Sequence, residues 1–171
     1  MKDHRIVIVG FMGCGKTTVA GALAQRLGRE MLDLDSFITK REGRTPAEII
    51  AEDGEPAFRE IETHALRDAL RMEHAQVVAL GGGAWTIEAN RGLVAQHDCL
   101  SVWLDAPFEL CWERITASGE TRPLAPDRET AYRLYKSRCE NYQLADARIS
   151  VDQSDSMAAL AATVLTAIGS D

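Results

Sequence analysis

A chain of 171 residues, 46% hydrophobic and 26% charged, suits one soluble domain, expected over 1–171, with a sizeable core. Its net charge of −7 excludes a general nucleic-acid binder and a protein held on anionic membranes, since both depend on basic surface. Charges at Lys2, Asp3, His4 and Arg5 precede only a short apolar run, too short for a signal-peptide core, and no run approaches the ~18 apolar residues of a membrane span.

The run Ile6–Val9 predicts a strand buried on both faces, and it leads into Gly10-Phe-Met-Gly13-Cys-Gly15-Lys16-Thr17. This fits G-x-x-x-x-G-K-[ST] at every fixed position, between a strand and a helical pattern. Glycines let successive backbone N–H groups curl around a phosphate, and the following helix sets its positive end behind it. Lys16 can reach the outer phosphates and the Thr17 hydroxyl can join a Mg²⁺ shell. Gly13, Cys14, Gly15, Lys16, Thr17 and Thr18 are the expected nucleotide-binding residues. Cys14, beside Lys16, is either a reactive thiol or a small residue tolerated in the loop.

Beyond the loop, Thr18–Leu27 reads as a helix stopped by Gly28, and Glu30–Leu34 as a strand delivering Asp33 and Asp35 at its end. A helix runs from near Ser36 to Gly43, and Thr45-Pro46 opens another that Gly54 ends. Glu55–Met72 is the longest helical pattern, with Phe58, Ile61, Ala65, Ala69 and Met72 as its apolar stripe. Gln76–Leu80 is a strand ending in Gly81-Gly82-Gly83, Ile87–Gln96 a helix and Leu100–Leu104 a strand. Pro107 starts a helix that fades at Ser118-Gly119. The Pro-containing stretch that follows, about 119–128, lacks periodicity and reads as a mobile lid. Glu129–Leu144 is helical, Arg148–Val151 a short strand, and Ser156 caps a last helix. Strands alternating with helices predict an α/β fold, a five-stranded parallel sheet with helices on both faces, which binds ligands at the carboxyl ends of its strands.

Cys14, Cys99, Cys111 and Cys139 are widely spaced, as in a reduced cytoplasmic chain, and the histidines show no metal-binding spacing. The absence of D-x-x-G and [NT]-K-x-D argues against a guanine-nucleotide switch. What remains is a small-molecule kinase. Asp33-Leu-Asp35 offers one carboxylate to Mg²⁺ and one to a substrate hydroxyl, or else is an exposed turn with a capping Asp. Arg59 and Glu62, at i and i+3, could equally be a surface ion pair. Gly81, Gly82 and Gly83 give a ligand room against the backbone, or form a plain turn.

Together these pieces closely resemble the shikimate kinase family. The matching segments are Gly10–Thr17, Asp33-Leu-Asp35, the G-E-x-x-F-R-x-x-E run Gly54–Glu62, Gly81–Gly83, the lid Arg122-Pro-Leu and Arg138-x-x-x-Tyr142, in the family's order. The resemblance implies a P-loop kinase of nucleoside-monophosphate-kinase-like fold, with a substrate-binding region at about 34–62. It implies transfer of the ATP γ-phosphoryl group to the 3-hydroxyl of shikimate, with ATP and Mg²⁺ as cofactors, in a cytoplasmic monomer without nucleic-acid or membrane partners. Carried over by position, Lys16, Asp35 and Arg122 are catalytic, Asp35 being the base and Arg122 closing over the phosphoryl group. Arg59 and Arg138 grip the shikimate carboxylate, with Gly81, Gly82 and Gly83 beside it; Arg114 lies near the adenine, and Thr17 and Asp33 serve the metal. The chain departs from the pattern at Ala125, Trp85, Ile50 and in the proline-free stretch Val151–Ser156. The alternatives are a related kinase for another small hydroxylated acid and a non-catalytic nucleotide-binding module.

Overall fold

The computed structural model describes residues 4–169; Lys2 and Asp3 of the charged start lie outside the described residues. Five strands, β1 (Ile6–Val9), β2 (Glu30–Asp33), β3 (Ala75–Ala79), β4 (Leu100–Asp105) and β5 (Ala147–Ser150), form one sheet in the order β2-β3-β1-β4-β5. Every pairing is parallel, with Val7 in register with Val78 on one side and Ser101 on the other. Residues 6–9 are at most 1% exposed, so β1 is covered on both faces.

The connections are α1 (Lys16–Leu27), α2 (Leu34–Glu42), α3 (Pro46–Asp53), α4 (Glu55–Arg71), α5 (Glu88–Gln96), α6 (Phe108–Ser118), α7 (Arg128–Tyr142) and α8 (Met157–Ile168). From β1, α1 leads to the edge strand β2, whereas α5 carries the chain from β3 past β1 to β4. Right-handed crossovers in opposite directions put α1 and α5 on opposite faces and open a crevice at the carboxyl ends of β1 and β3. None of the described helices is long and apolar enough to cross a membrane.

Capping explains where the sequence reading erred. Asp33 accepts from the Ser36 N–H at 2.9 Å, so α2 begins at Leu34 and Asp35 lies in its first turn, not at the strand end. The Thr45–Glu48 capping box and Pro46 start α3 as expected. A short 3₁₀ turn, Ala84–Thr86, follows the triple glycine and was not foreseen. On α4 the buried face is Phe58, Glu62, Ala65, Leu66, Ala69 and Leu70, while Ile61 and Met72 are only half-buried. Counting apolar residues alone misplaced the stripe, because a charged residue sits on its inner side.

This face can be tested. Leu66→Ala should cost about 2–5 kcal/mol in urea unfolding, and Ile61→Ala clearly less. Equal losses would contradict the assigned orientation of α4.

Candidate active site

The loop between β1 and α1 is shaped for an anion. Gly13 has φ 78°, and a Cβ there would lie 2.7 Å from the Cys111 carbonyl, so only glycine fits. Helices α2, α3, α7 and α8 each have a side-chain N-cap, from Asp33, Thr45, Asp127 and Ser156. In contrast, α1 begins after Gly15, which has no side chain to take its first-turn N–H groups. Those donors and the helix dipole face the cleft lined by Gly13, Gly15, Lys16, Thr17 and Thr18. Lys16 Nζ donates to the Phe11 carbonyl at 2.9 Å, across the loop.

Cys14 is different: its side chain is wholly buried, which fits a small residue tolerated in the loop and not a reactive thiol. Only its backbone belongs to the loop surface, and its N–H donates to the Phe11 carbonyl at 3.2 Å. Arg114 reaches over from α6 and donates to the Gly13 carbonyl at 3.2 Å. Asp33, besides capping α2, accepts from the Thr17 hydroxyl at 2.7 Å. Two hard oxygen groups therefore stand together at the head of the loop. That is the donor set Mg²⁺ takes when phosphates complete its shell. No group of three or more His, Cys, Asp or Glu gathers into a metal centre among the described residues.

A second cleft adjoins the first, lined by Asp35, Arg59, Glu62, the triple glycine, Arg122 and Arg138, with Ile50 and Phe58 on its apolar wall. Met12, Asp35, Gly81, Gly82 and Arg122 line both clefts, so they mark the junction. The glycines permit close approach: a Cβ on Gly83 would lie 2.1 Å from Arg59 Nη2, and one on Gly82 would lie 3.2 Å from Arg138 Nη1. Both guanidinium groups thus sit directly on this segment. Segments scattered from 35 to 138 in the chain meet here.

The two arginines are held differently. Arg59 donates from Nη1 to Glu62 at 2.7 Å and from Nη2 to Glu55 at 3.1 Å. Burial works against its charge, but Glu62 and Glu55 outweigh that and raise its pKa. Arg138 is 5% exposed and makes no ion pair among the described residues; Tyr142 lies against it, and its Cζ sits 5.9 Å from the Phe11 ring centroid. Burial lowers its pKa, though a guanidinium stays charged.

Glu62 is the cleft residue that sequence reasoning undervalued. It is not a surface partner of Arg59: it is 0% exposed, and its second carboxylate oxygen, Oε1, is buried with no hydrogen-bond partner. Its signal was present in the i, i+4 spacing from Phe58, which puts it on the inner face. Glu62 Oε1 and Asp35 Oδ1 both fall within 3.0 Å of the point where a Gly81 Cβ would sit. Desolvation, reinforced by Asp33, raises the pKa of Asp35 despite the opposing pull of Lys16, Arg122 and Arg59. Burial likewise raises that of Glu62.

Residues 121–124 close one side of the second cleft. Arg122 pairs with Glu120 through Nη2 at 2.5 Å, while its Nε is buried without a partner. Ala125, 4% exposed, packs with Phe108 and Ala131. Trp85 is buried in the core, away from both clefts.

A phosphate loop opening onto a second cleft with paired guanidinium groups and a carboxylate at the junction defines a P-loop kinase for a small anionic substrate. Comparison with known proteins gives the family. The sequence profile described as shikimate kinase matches residues 12–169. The shikimate kinase of Ruegeria pomeroyi is 39% identical over 167 residues, covering 95% of this chain and 84% of that protein. That of Cereibacter sphaeroides is 43% identical over 144 residues, covering 82% and 71% respectively. Among solved structures, the Acinetobacter baumannii shikimate kinase in complex with shikimate superposes with a TM-score of 0.89 at 36% identity, over 96% of this chain and 92% of that one. The chain belongs to the shikimate kinase family, ATP-dependent kinases that use Mg²⁺ and serve aromatic amino acid biosynthesis.

Burial of Asp35 has a stability consequence. Its folded-state pKa lies above the unfolded value, so the folded protein binds that proton more tightly and loses stability as pH rises through this window. Asp35→Asn should therefore melt higher than wild type at pH 7, and the gain should vanish below about pH 4, where both states hold the proton. Calorimetry at the two pH values checks this; an unchanged or lower melting temperature at pH 7 would contradict it.

Proposed function

We propose that the two clefts bind ATP and shikimate side by side, and that Asp35 directs transfer of the γ-phosphoryl group to the shikimate 3-hydroxyl. The observation that carries this reading is the approach of Arg59 and Arg138 to one triglycine segment, with Asp35 beside it at the junction. Two guanidinium forks match a carboxylate, and a carboxylate opposite them matches a hydroxyl.

In this reading Arg59 and Arg138 bind the shikimate carboxylate, and Gly81, Gly82 and Gly83 let the ring lie against the backbone. Asp35 accepts the hydroxyl proton as that oxygen attacks the γ-phosphorus and the bond to the β-phosphate oxygen breaks, releasing ADP. Lys16 and Arg122 stabilise charge on the equatorial oxygens of the transferring group, and Arg114 lies by the adenine. Gly13, Cys14, Gly15 and Thr18 contribute backbone to the phosphate cradle. Mg²⁺ would supply further charge neutralisation, held by Thr17 and Asp33. The elevated pKa of Asp35 suits an acceptor of a proton, because a poorly solvated carboxylate is a stronger base. The whole chain is read as one kinase domain, with about 34–62 as the substrate-binding region and about 119–128 as a lid that excludes water on closing. It is read as a cytoplasmic monomer with no nucleic-acid or membrane partner.

A coupled assay of ADP release with Mg²⁺ and ATP tests the reading. Release should require shikimate, and gluconate should not replace it; acceptor-independent release, or preference for another acid, would overturn it. Lys16→Met should lower kcat by about 10²-fold or more with the fold retained, as expected for loss of transition-state charge stabilisation. Asp35→Asn should keep ATP affinity and lose transfer, and full activity there would remove Asp35 from the mechanism.

A further inference from the structure

Arg138 presents a mechanical problem that Arg59 does not. Arg59 is fixed by carboxylates on its own helix, Glu55 and Glu62. Arg138 has no ion pair among the described residues, so its place in the cleft follows from where the end of α7 is held. Helix ends fray, and Arg138 sits in the last turns of α7. A displacement of about 1 Å in a positioning group can cost 10²-fold in rate.

One turn further along, Tyr142 is 0% exposed and donates its hydroxyl to the Gly82 carbonyl at 2.5 Å. Its ring packs 5.9 Å from that of Trp103, centroid to centroid. Burial raises the phenol pKa, so it stays protonated and remains a donor. Gly82 is also the residue whose Cβ would meet Arg138 Nη1, so one residue of the triple glycine touches both side chains. A trans peptide sets C=O and the next N–H antiparallel, so a Gly82 carbonyl turned to Tyr142 turns the Gly83 N–H away from it.

Trp85 adds a second tie. Its indole N–H donates to the Asn141 carbonyl at 3.1 Å, and Arg91 donates to the Trp85 carbonyl at 2.6 Å. Trp85, a departure from the family pattern, works from behind the cleft, joining the 3₁₀ turn to the end of α7.

We propose that Tyr142 is a positioning residue for the acid substrate: its hydroxyl pins the end of α7 to Gly82 and so sets Arg138 over the triglycine segment, with Trp85 completing the clamp. This rests on the reading of the cleft as a shikimate site. Tyr142 touches no reacting atom; it acts through Arg138 and the Gly82 peptide.

The test measures the dissociation constants of shikimate and ATP by calorimetry in wild type, Tyr142→Phe and Trp85→Phe. Val164→Ala, on α8 and buried far along the chain, serves as a control for general destabilisation. Tyr142→Phe should weaken shikimate by at least about fivefold and leave ATP within about twofold, and Val164→Ala should change neither. A shikimate constant changed by less than about fivefold, or a parallel loss for ATP, would overturn the proposal. If Tyr142→Phe does not fold, Trp85→Phe decides: a shikimate-selective loss supports the clamp, and none refutes it. Wild type that binds ATP but not shikimate would refute the reading of the cleft itself, a result distinct from any of these.

Discussion

Removing a guanidinium from water is expensive, and this fold does it twice within one cleft. Arg59 recovers the cost through Glu62 and Glu55. Arg138 makes no ion pair among the described residues; it has Tyr142 and the face of Phe11 beside it, and the more distant Glu55 and Glu62 only partly offset its burial. A buried cation without a counter-charge is stabilised by whatever anion enters beside it. The cleft is therefore strongly biased toward a carboxylate or similar group, in a protein whose overall charge of −7 opposes anions. Local concentration of cations, not net charge, decides what this surface attracts.

Topology places that bias next to the phosphate loop. Because β1 and β3 are neighbours whose chains depart in opposite directions, the loop after β1 and the triple glycine after β3 face each other at one end of the sheet. Asp35, from the first turn of α2, comes between them, and its carboxylate is kept partly desolvated by the same packing. Stability is lost at Asp35 and at Glu62, where burial raises both pKa values. Such a loss is expected where a site is built for a partner and not for the free protein.

The fold was largely readable from the chain because its signals are local. Ile6–Val9 is apolar on both faces, Gly28 and Gly43 stop helices, and Thr45-Pro46 starts one. The phosphate loop was readable as residue types at a characteristic spacing, whereas the roles of Arg59 and Arg138 were suggested only by the resemblance to the family. What escaped was set by long-range packing. Glu62 reads as a surface ion pair until α4 is docked, and Asp35 reads as a strand terminus until Asp33 is seen to cap α2. The two readings of Cys14, reactive thiol or tolerated small residue, separate only once the loop turns its side chain inward. Trp85 stands out only as a departure from the family pattern until the 3₁₀ turn after Gly83 is seen to carry it into the core.

In the proposed reading, the guanidinium groups of Arg59, partly exposed, and Arg138, buried, select the negative charge of the acid substrate. Titration of shikimate and of its methyl ester into the wild-type protein tests it most directly, because the ester keeps the ring and hydroxyls and replaces the carboxylate with an uncharged group. The account predicts that the ester binds at least about 100-fold more weakly, the scale expected for losing charge-assisted hydrogen bonds to two arginines. Comparable affinity for acid and ester would contradict it.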